Sequence, residues 1–322
     1  MGRCSVAERN LFRAAMRRPT DSGTEGGPRG KLVSPVKRAK QSVARVAIVG
    51  SYGVGLTVEL DRVPNAGETV IGRTFRRDHG GKGSNQAVGC ARLGATVDFL
   101  TAIGDDAFGQ DALALWQQEG VTADAVRASA ATMVAPIFVE PSGENRIVVV
   151  PGALAELSRA HVDAFADRIA AADICVVQLE IPLDTALYAL EVARHAGVRT
   201  ILNPAPAPAE PIAPTVDYVT PNETEASTVS GVRGALVLTL GDLGAQLGEE
   251  RVPALPATVV DTTGAGDAFT AAFAVALAEG LSDLDAVRWG CAAGAHMVEH
   301  PGVVPGLPTR AELEARLAAA PA

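Results

Sequence analysis

The chain has 322 residues, 48% of them apolar and 4% aromatic, with 28 Lys/Arg against 37 Asp/Glu. That length suits one large α/β domain or two smaller ones, and the apolar share supports a sizeable core. No apolar run reaches the ~18 residues of a membrane span, and a strongly acidic body argues against nucleic acid as a substrate.

Charge is unevenly placed. Residues 1–45 carry 11 Lys/Arg and 3 Asp/Glu, and the remainder carries 17 and 34. Residues 1–44 are predicted to form a disordered basic extension. It lacks the continuous apolar stretch of a secretory signal. The other reading of such a tail is contact with nucleic acid or an acidic surface. The folded domain is predicted over residues 45–322, with a first buried strand over residues 43–49.

Alternating apolar positions at Leu56, Val58 and Leu60, with turn signals near residues 63–69, predict short strands and turns. A helix follows the glycine-rich segment HGGKGSNQA, residues 79–87, and ends at Gly94. Strand and helix then alternate: strands over 96–104, 173–179, 199–203, 217–220 and 235–241, and helices over 109–120, 158–172, 182–197 and 222–231. A hairpin is predicted around residues 141–144. Two long helices close the pattern, over 264–280 and 284–300. This order predicts an α/β fold with a doubly wound, mostly parallel sheet. The early strands near 53–80 and 132–150 do not fit inside such a sheet and are assigned to a small β lid.

Cys4, Cys90, Cys175 and Cys291 lie far apart with no CxxC pair, so zinc and redox motifs are unsupported. The last three sit in apolar segments and read as core residues of a cytoplasmic protein. His79, His195, His296 and His300 show no metal-ligand spacing; His296 and His300 are four apart but lack the adjacent Glu of a zinc-protease helix.

Residues 261–269, DTTGAGDAF, place a glycine loop at the start of a long helix. The amides of Gly264, Ala265, Gly266 and Asp267 would lie at that helix's N-terminus, where an anion is favoured. The alternative is an ordinary capping Asp. Residues 80–87, GGKGSNQA, open another helix with Lys82 and Asn85 added, without Walker spacing. They can offset phosphate charge and bind hydroxyls, or form a plain glycine turn with a solvated Lys. GSYGVG, residues 50–55, lacks the spacing and the following helix of a dinucleotide loop. Asn222, Glu223 and Glu225 in PNETEA form either a helix cap or a polar cluster near a hydrated Mg²⁺. TLGDLG, residues 239–244, is a strand running into a turn that can admit a nucleotide.

Taken in order, these motifs resemble the ribokinase family, the phosphofructokinase-B type of carbohydrate kinases. The likeness runs from about Val46 to Pro308 and includes GGKGSNQAVGCARLGA, GDDAFG, LNPAPA, TPNETEA and DTTGAGDAF. It implies an αβα sandwich with a β lid that often forms a dimer interface. It also implies ATP as donor, a hydroxymethyl group of ribose or a related sugar as acceptor, and Asp267 as the general base. Gly264, Ala265 and Gly266 would complete an anion hole. Gly81, Lys82, Gly83, Asn85 and Glu180 match sugar-binding positions. Asn222, Thr239, Gly241 and Gly244 match the nucleotide side, and Glu225 would hold Mg²⁺ through water. A K⁺ site would use Asp261 and Thr263 with the region of Met297, His300, Gly302 and Gly306.

Three departures stand out. Ribokinases carry Asn and Asp where this chain has Gly53 and Gly55, so a bulkier or differently substituted sugar would fill the space these glycines open. The stretch between Asn222 and Thr239 lacks a further helix of roughly twenty residues, which would weaken the nucleotide side or expose a sheet edge. The basic extension is extra. Two other readings follow: a catalytically weak homologue acting as a sugar or nucleotide sensor, and a nucleoside kinase of the same family.

Overall fold

The computed structural model describes residues 43–319. Most of the basic extension expected over residues 1–44, residues 1–42, lies outside the described residues. In chain order the elements are β1 (Arg45–Val49), β2 (Gly53–Leu60), β3 (Gly72–Gly80), α1 (Lys82–Arg92), β4 (Thr96–Gly104), α2 (Ala107–Glu119), β5 (Thr122–Ala128), β6 (Met133–Val139) and β7 (Asn145–Ile147). The middle of the chain adds α3 (Arg159–Ala170), β8 (Ile174–Gln178), α4 (Leu183–His195), β9 (Arg199–Asn203), β10 (Thr215–Val219), α5 (Glu223–Ala226) and β11 (Arg233–Thr239). It closes with β12 (Ala245–Leu247), β13 (Glu250–Val252), α6 (Ala265–Ala278), α7 (Asp283–Met297), α8 (Val303–Gly306) and α9 (Arg310–Ala319).

Nine strands form the central sheet in the order β13-β12-β11-β10-β9-β8-β1-β4-β5. From β11 to β5 every pairing is parallel, and the β12–β13 hairpin continues the sheet antiparallel. A parallel sheet must be covered on both faces. The central strand β1 shows how: Val46 and Ile48 face one core with α1, α2, α6 and α7, while Ala47 and Val49 face another with α3 and α4. The strand starts at Arg45, two residues later than the apolar run suggests, because Val43 is exposed. The second sheet, β3-β2-β6-β7, is the lid. Its β6–β7 hairpin pairs Ile137 with Ile147 around the predicted turn.

Local signals explain the ends of α2. Asp106 caps it by accepting the Gly109 N–H at 2.8 Å, and Gly120 ends it in the left-handed region at φ 73°.

Several elements differ from the sequence-based expectation. β3 carries Arg73, Arg76, Arg77 and Asp78 and shows little apolar alternation, since much of the lid meets solvent. β5 is a polar edge strand, and β12 and β13 are three residues each. The helix expected over 222–231 is the single turn α5, and α9 follows the helix taken as the last long one. The short crossover between β10 and β11 does not leave β11 at the sheet edge, because β12 pairs with it. Among the described residues no helix is long and apolar enough to cross a membrane. Cys90, Cys175 and Cys291 are free and buried, and burial pushes their thiols up to about 12.

The larger core is keyed by Phe273 of α6. Its ring meets Tyr218 edge-on at 5.3 Å and stacks on Phe269 at 6.1 Å. Phe273→Ala is expected to lower unfolding free energy by about 3–5 kcal/mol, the usual range for an emptied aromatic site. Urea unfolding checks this through the transition midpoint; a loss below about 1 kcal/mol would contradict the packing role.

Candidate active site

Two glycine loops, far apart in sequence, bring two helix N-termini face to face. The first precedes α1. Gly81 has φ 86°, and a Cβ there would lie 2.6 Å from the Tyr52 Cα. A Cβ on Gly83 would lie 2.5 Å from the Ser51 amide nitrogen. Glycine therefore lets α1 start directly against the β1–β2 turn. The second loop precedes α6, where Gly264 has φ 82° and a Cβ would meet Val303 at 2.7 Å.

Asp267, in the first turn of α6, is only 5% exposed. Asn85 Nδ2 donates to its Oδ2 at 2.8 Å, and Gln86 Nε2 donates to its Oδ1 at 2.9 Å. Gln86 also donates to Asn203 Oδ1 at 3.1 Å and accepts from Gln178 Nε2 at 2.6 Å. Asn203 in turn donates to the Thr220 carbonyl at 3.0 Å. This buried amide chain fixes the carboxylate in one orientation. Asn85 Oδ1 is buried without a protein partner. An acceptor so placed beside Asp267 suits a hydroxyl donor.

Lys82 stands next to them. Burial opposes its charge, yet Asp267, Glu180 and Glu225 together lift its pKa above the ordinary lysine value. The ammonium is therefore a fixed positive charge. Glu180 accepts from the Ser51 hydroxyl and from the Lys82 N–H at 2.8 Å, while the Ser51 oxygen accepts the Gly83 N–H at 3.3 Å. Glu180 thus braces the Lys82 loop.

Lys82, Asn203, Thr220, Asn222, Glu225, Thr239, Thr262, Gly264, Gly266 and Asp267 line a cleft of about 220 Å³. A Cβ on Gly266 would meet nothing within 4 Å. The first-turn amides of a helix have no intrahelical acceptors and present partial positive charge. Of the four amides assigned to the anion hole, that of Ala265 is turned back to the Thr262 carbonyl at 3.3 Å.

Asn222 and Glu225 form a reciprocal capping box: Asn222 Oδ1 accepts the Glu225 N–H at 2.8 Å, and Glu225 Oε2 accepts the Asn222 N–H at 2.9 Å. Both also line the cleft, so the cap and the polar cluster are the same residues. Burial raises the Glu225 pKa, against the lowering effects of the Asn222 amide and Lys82. Thr239 reaches the cleft, whereas Gly241 and Gly244 shape the turn into β12 at φ 58° and 93°.

The expected cation residues also converge. Asp261 accepts the Thr263 N–H at 2.9 Å through Oδ1 and the Gly302 N–H at 3.3 Å through Oδ2. Burial opposes the charge, but these bonds and Arg76 hold its pKa below the usual carboxylate value. A Cβ on Gly306 would approach Met297 Cε at 2.8 Å and His300 Cβ at 3.2 Å. An ionised carboxylate within a tight loop cluster suits a monovalent cation. Among the described residues no group of three or more His, Cys, Asp or Glu could hold a metal ion.

One expectation fails. Gly53 opens no space, because a Cβ there would lie 2.2 Å from Met133 Cε. The thioether from β6 already fills it, and neither Gly53 nor Gly55 lines the 220 Å³ cleft. Among the polar residues missed are Ser51, Gln86, Gln178, Asn203 and Thr220. Gln86 lies beside Asn85 in GGKGSNQA, and Asn203 lies in LNPAPA, but Gln86 meets Asn203 and Asp267 across more than a hundred residues of sequence.

The family profile "pfkB family carbohydrate kinase" matches residues 44–310. The chain is 38% identical to ribokinase of Bacillus subtilis over 288 residues, covering 84% of this chain and 98% of that protein. It is 35% identical to deoxyribokinase of Salmonella typhimurium over 257 residues, covering 71% and 84%. The structure of Arabidopsis thaliana ribokinase complexed with ribose and ATP superposes with a TM-score of 0.77 at 31% identity, covering 86% of this chain and 99% of that one. With its αβα sheet, its lid and the two helix N-termini meeting at Asp267, this chain belongs to the pfkB family of carbohydrate kinases.

Proposed function

We propose that this ATP-dependent sugar kinase phosphorylates the hydroxymethyl group of ribose or a closely related pentose, with Asp267 as general base. The carrying observation is the Asp267 carboxylate, gripped by Asn85 and Gln86 and lining a cleft shared with Lys82. The acceptor hydroxyl gives its proton to Asp267 as its oxygen bonds to the γ-phosphorus, and the bond from that phosphorus to the β-phosphate oxygen breaks, releasing ADP. The amides of Gly264, Gly266 and Asp267 and the charge of Lys82 stabilise the phosphoryl oxygens. Asn85 Oδ1, Gly81, Lys82 and Gly83 hold the sugar against Glu180.

Mg²⁺, when bound, would offset the charge of the phosphates. Glu225 would hold its hydration shell, with Asn222 and Thr239 beside the nucleotide. K⁺ would sit among Asp261, Thr263, Met297, His300, Gly302 and Gly306. The intact set of Lys82, Asn85 and Asp267 favours catalysis over the sensor reading. Buried free thiols and use of ATP support a cytoplasmic setting. Ile71 and Phe75 of the lid are 87% and 67% exposed, and Ile147 and Val148 are also open. These open apolar side chains of the lid support a homodimer joined through its lids.

Asp267→Asn is expected to cut kcat about 10²–10⁴-fold, with sugar and ATP affinities close to those of the parent. Steady-state assays with calorimetric binding check this; near-normal turnover would remove the base assignment. Turnover in K⁺ should exceed that in tetramethylammonium, and equal rates would remove the cation site. Light scattering should report a dimer that Phe75→Asp weakens; a wild-type monomer would overturn the lid interface.

A further inference from the structure

β2 and β3 pair with Gly53 opposite Gly80, Gly55 opposite Asp78 and Thr57 opposite Arg76, while β6 sets Met133 beside Gly53. Directly paired residues share a face of a sheet. One surface of the lid therefore carries Gly53, Gly55, Met133, Asp78 and Arg76. The opposite surface is occupied: the Tyr52 hydroxyl bonds to His79 Nδ1 at 2.9 Å, Arg77 pairs with Asp111 of α2, and Val54 is buried in the larger core.

The two ends of the first surface touch the active site. A Cβ on Gly81 would lie 2.9 Å from the Gly53 nitrogen, so that end abuts the Lys82 loop. At the other end β3 lies next to α8, whose Gly306 belongs to the candidate cation cluster. Asp78 lies between them. Arg76 Nε donates to Asp78 Oδ2 at 2.5 Å, which orients the carboxylate and leaves its second oxygen for another donor. Beside it, a Cβ on Gly55 would make only ordinary contacts, 3.6 Å to Ile137 Cδ1 and 3.8 Å to the Asp78 carbonyl oxygen. The space next to Gly53 is instead filled by Met133.

We propose that Asp78 grips ring hydroxyls of the acceptor from β3, with Arg76 as its positioning residue, while Met133 closes the pocket beside Gly53. This rests on the sugar-kinase reading above. The acceptor is then an unsubstituted pentose, whose hydroxyl faces a carboxylate and whose neighbouring edge faces a thioether. A sugar carrying a bulky group at that edge is excluded by Met133. The hydrogen-bonding group has moved one strand sideways, from β2 to its direct partner on β3.

The test uses the pentose that the wild-type protein phosphorylates best among D-ribose, 2-deoxy-D-ribose, D-arabinose and D-xylose. Asp78→Ala is expected to raise its KM roughly 10–100-fold, as loss of a charged hydrogen bond does, with the KM for ATP and the melting temperature little changed. Asp78→Asn serves if the alanine variant is unstable, and its KM should also rise. Gly55→Asp added to Asp78→Ala should recover most of the loss, because it returns a carboxylate to the same face. A purely structural Asp78 would show no such recovery. A pentose KM within about threefold of wild type in Asp78→Ala overturns the assignment. So does a raised KM that Gly55→Asp fails to lower. No transfer by the wild-type protein to any of the four pentoses would instead bring down the pentose-kinase reading, and this assignment with it.

Discussion

The site depends on one pair of hydrogen bonds: Asn85 and Gln86 of α1 holding the two oxygens of Asp267 on α6. They tie together the two helices whose N-termini form the site. Everything around them serves that contact. Glycine at 81 and 83 lets α1 begin against the β1–β2 turn, and glycine at 264 lets α6 begin against Val303. A side chain at any of these positions would push one helix back and separate amide from carboxylate. Behind the pair, Gln178, Asn203 and Thr220 extend the bonding into the strand ends of the sheet.

Electrostatics gives the cleft its polarity. Lys82 keeps its charge because Asp267, Glu180 and Glu225 outweigh the cost of burial. Phosphoryl transfer needs little covalent help from the protein and much positioning and charge stabilisation. A lysine and helix amides facing one carboxylate meet both needs. The carboxylate can take the proton at one side while the cationic groups meet the phosphate at the other.

The alternation of buried strands with amphipathic helices made the αβα sheet legible, as did the glycine loops opening α1 and α6. Lys82, Asn85 and Asp267 were legible for the same reason: a helix start after glycine is a local feature. Gln86 and Asn203 were not, since their roles arise only when β9, α1 and α6 meet. The strand β3 was obscured by its arginines, which a solvent-facing lid tolerates. The space beside Gly53 was misjudged because the side chain that fills it, Met133, comes from a different strand in parallel register. Neighbours fixed by register across strands have no signature in local sequence.

The central claim is transfer of the γ-phosphoryl group of ATP to a primary sugar hydroxyl. Phosphorus NMR of the wild-type reaction with D-ribose, Mg²⁺ and K⁺ tests it most directly. The account predicts a new phosphomonoester signal split by the two protons of a methylene group, growing with ADP. Release of inorganic phosphate alone, or an ester split by a single ring proton, would contradict it.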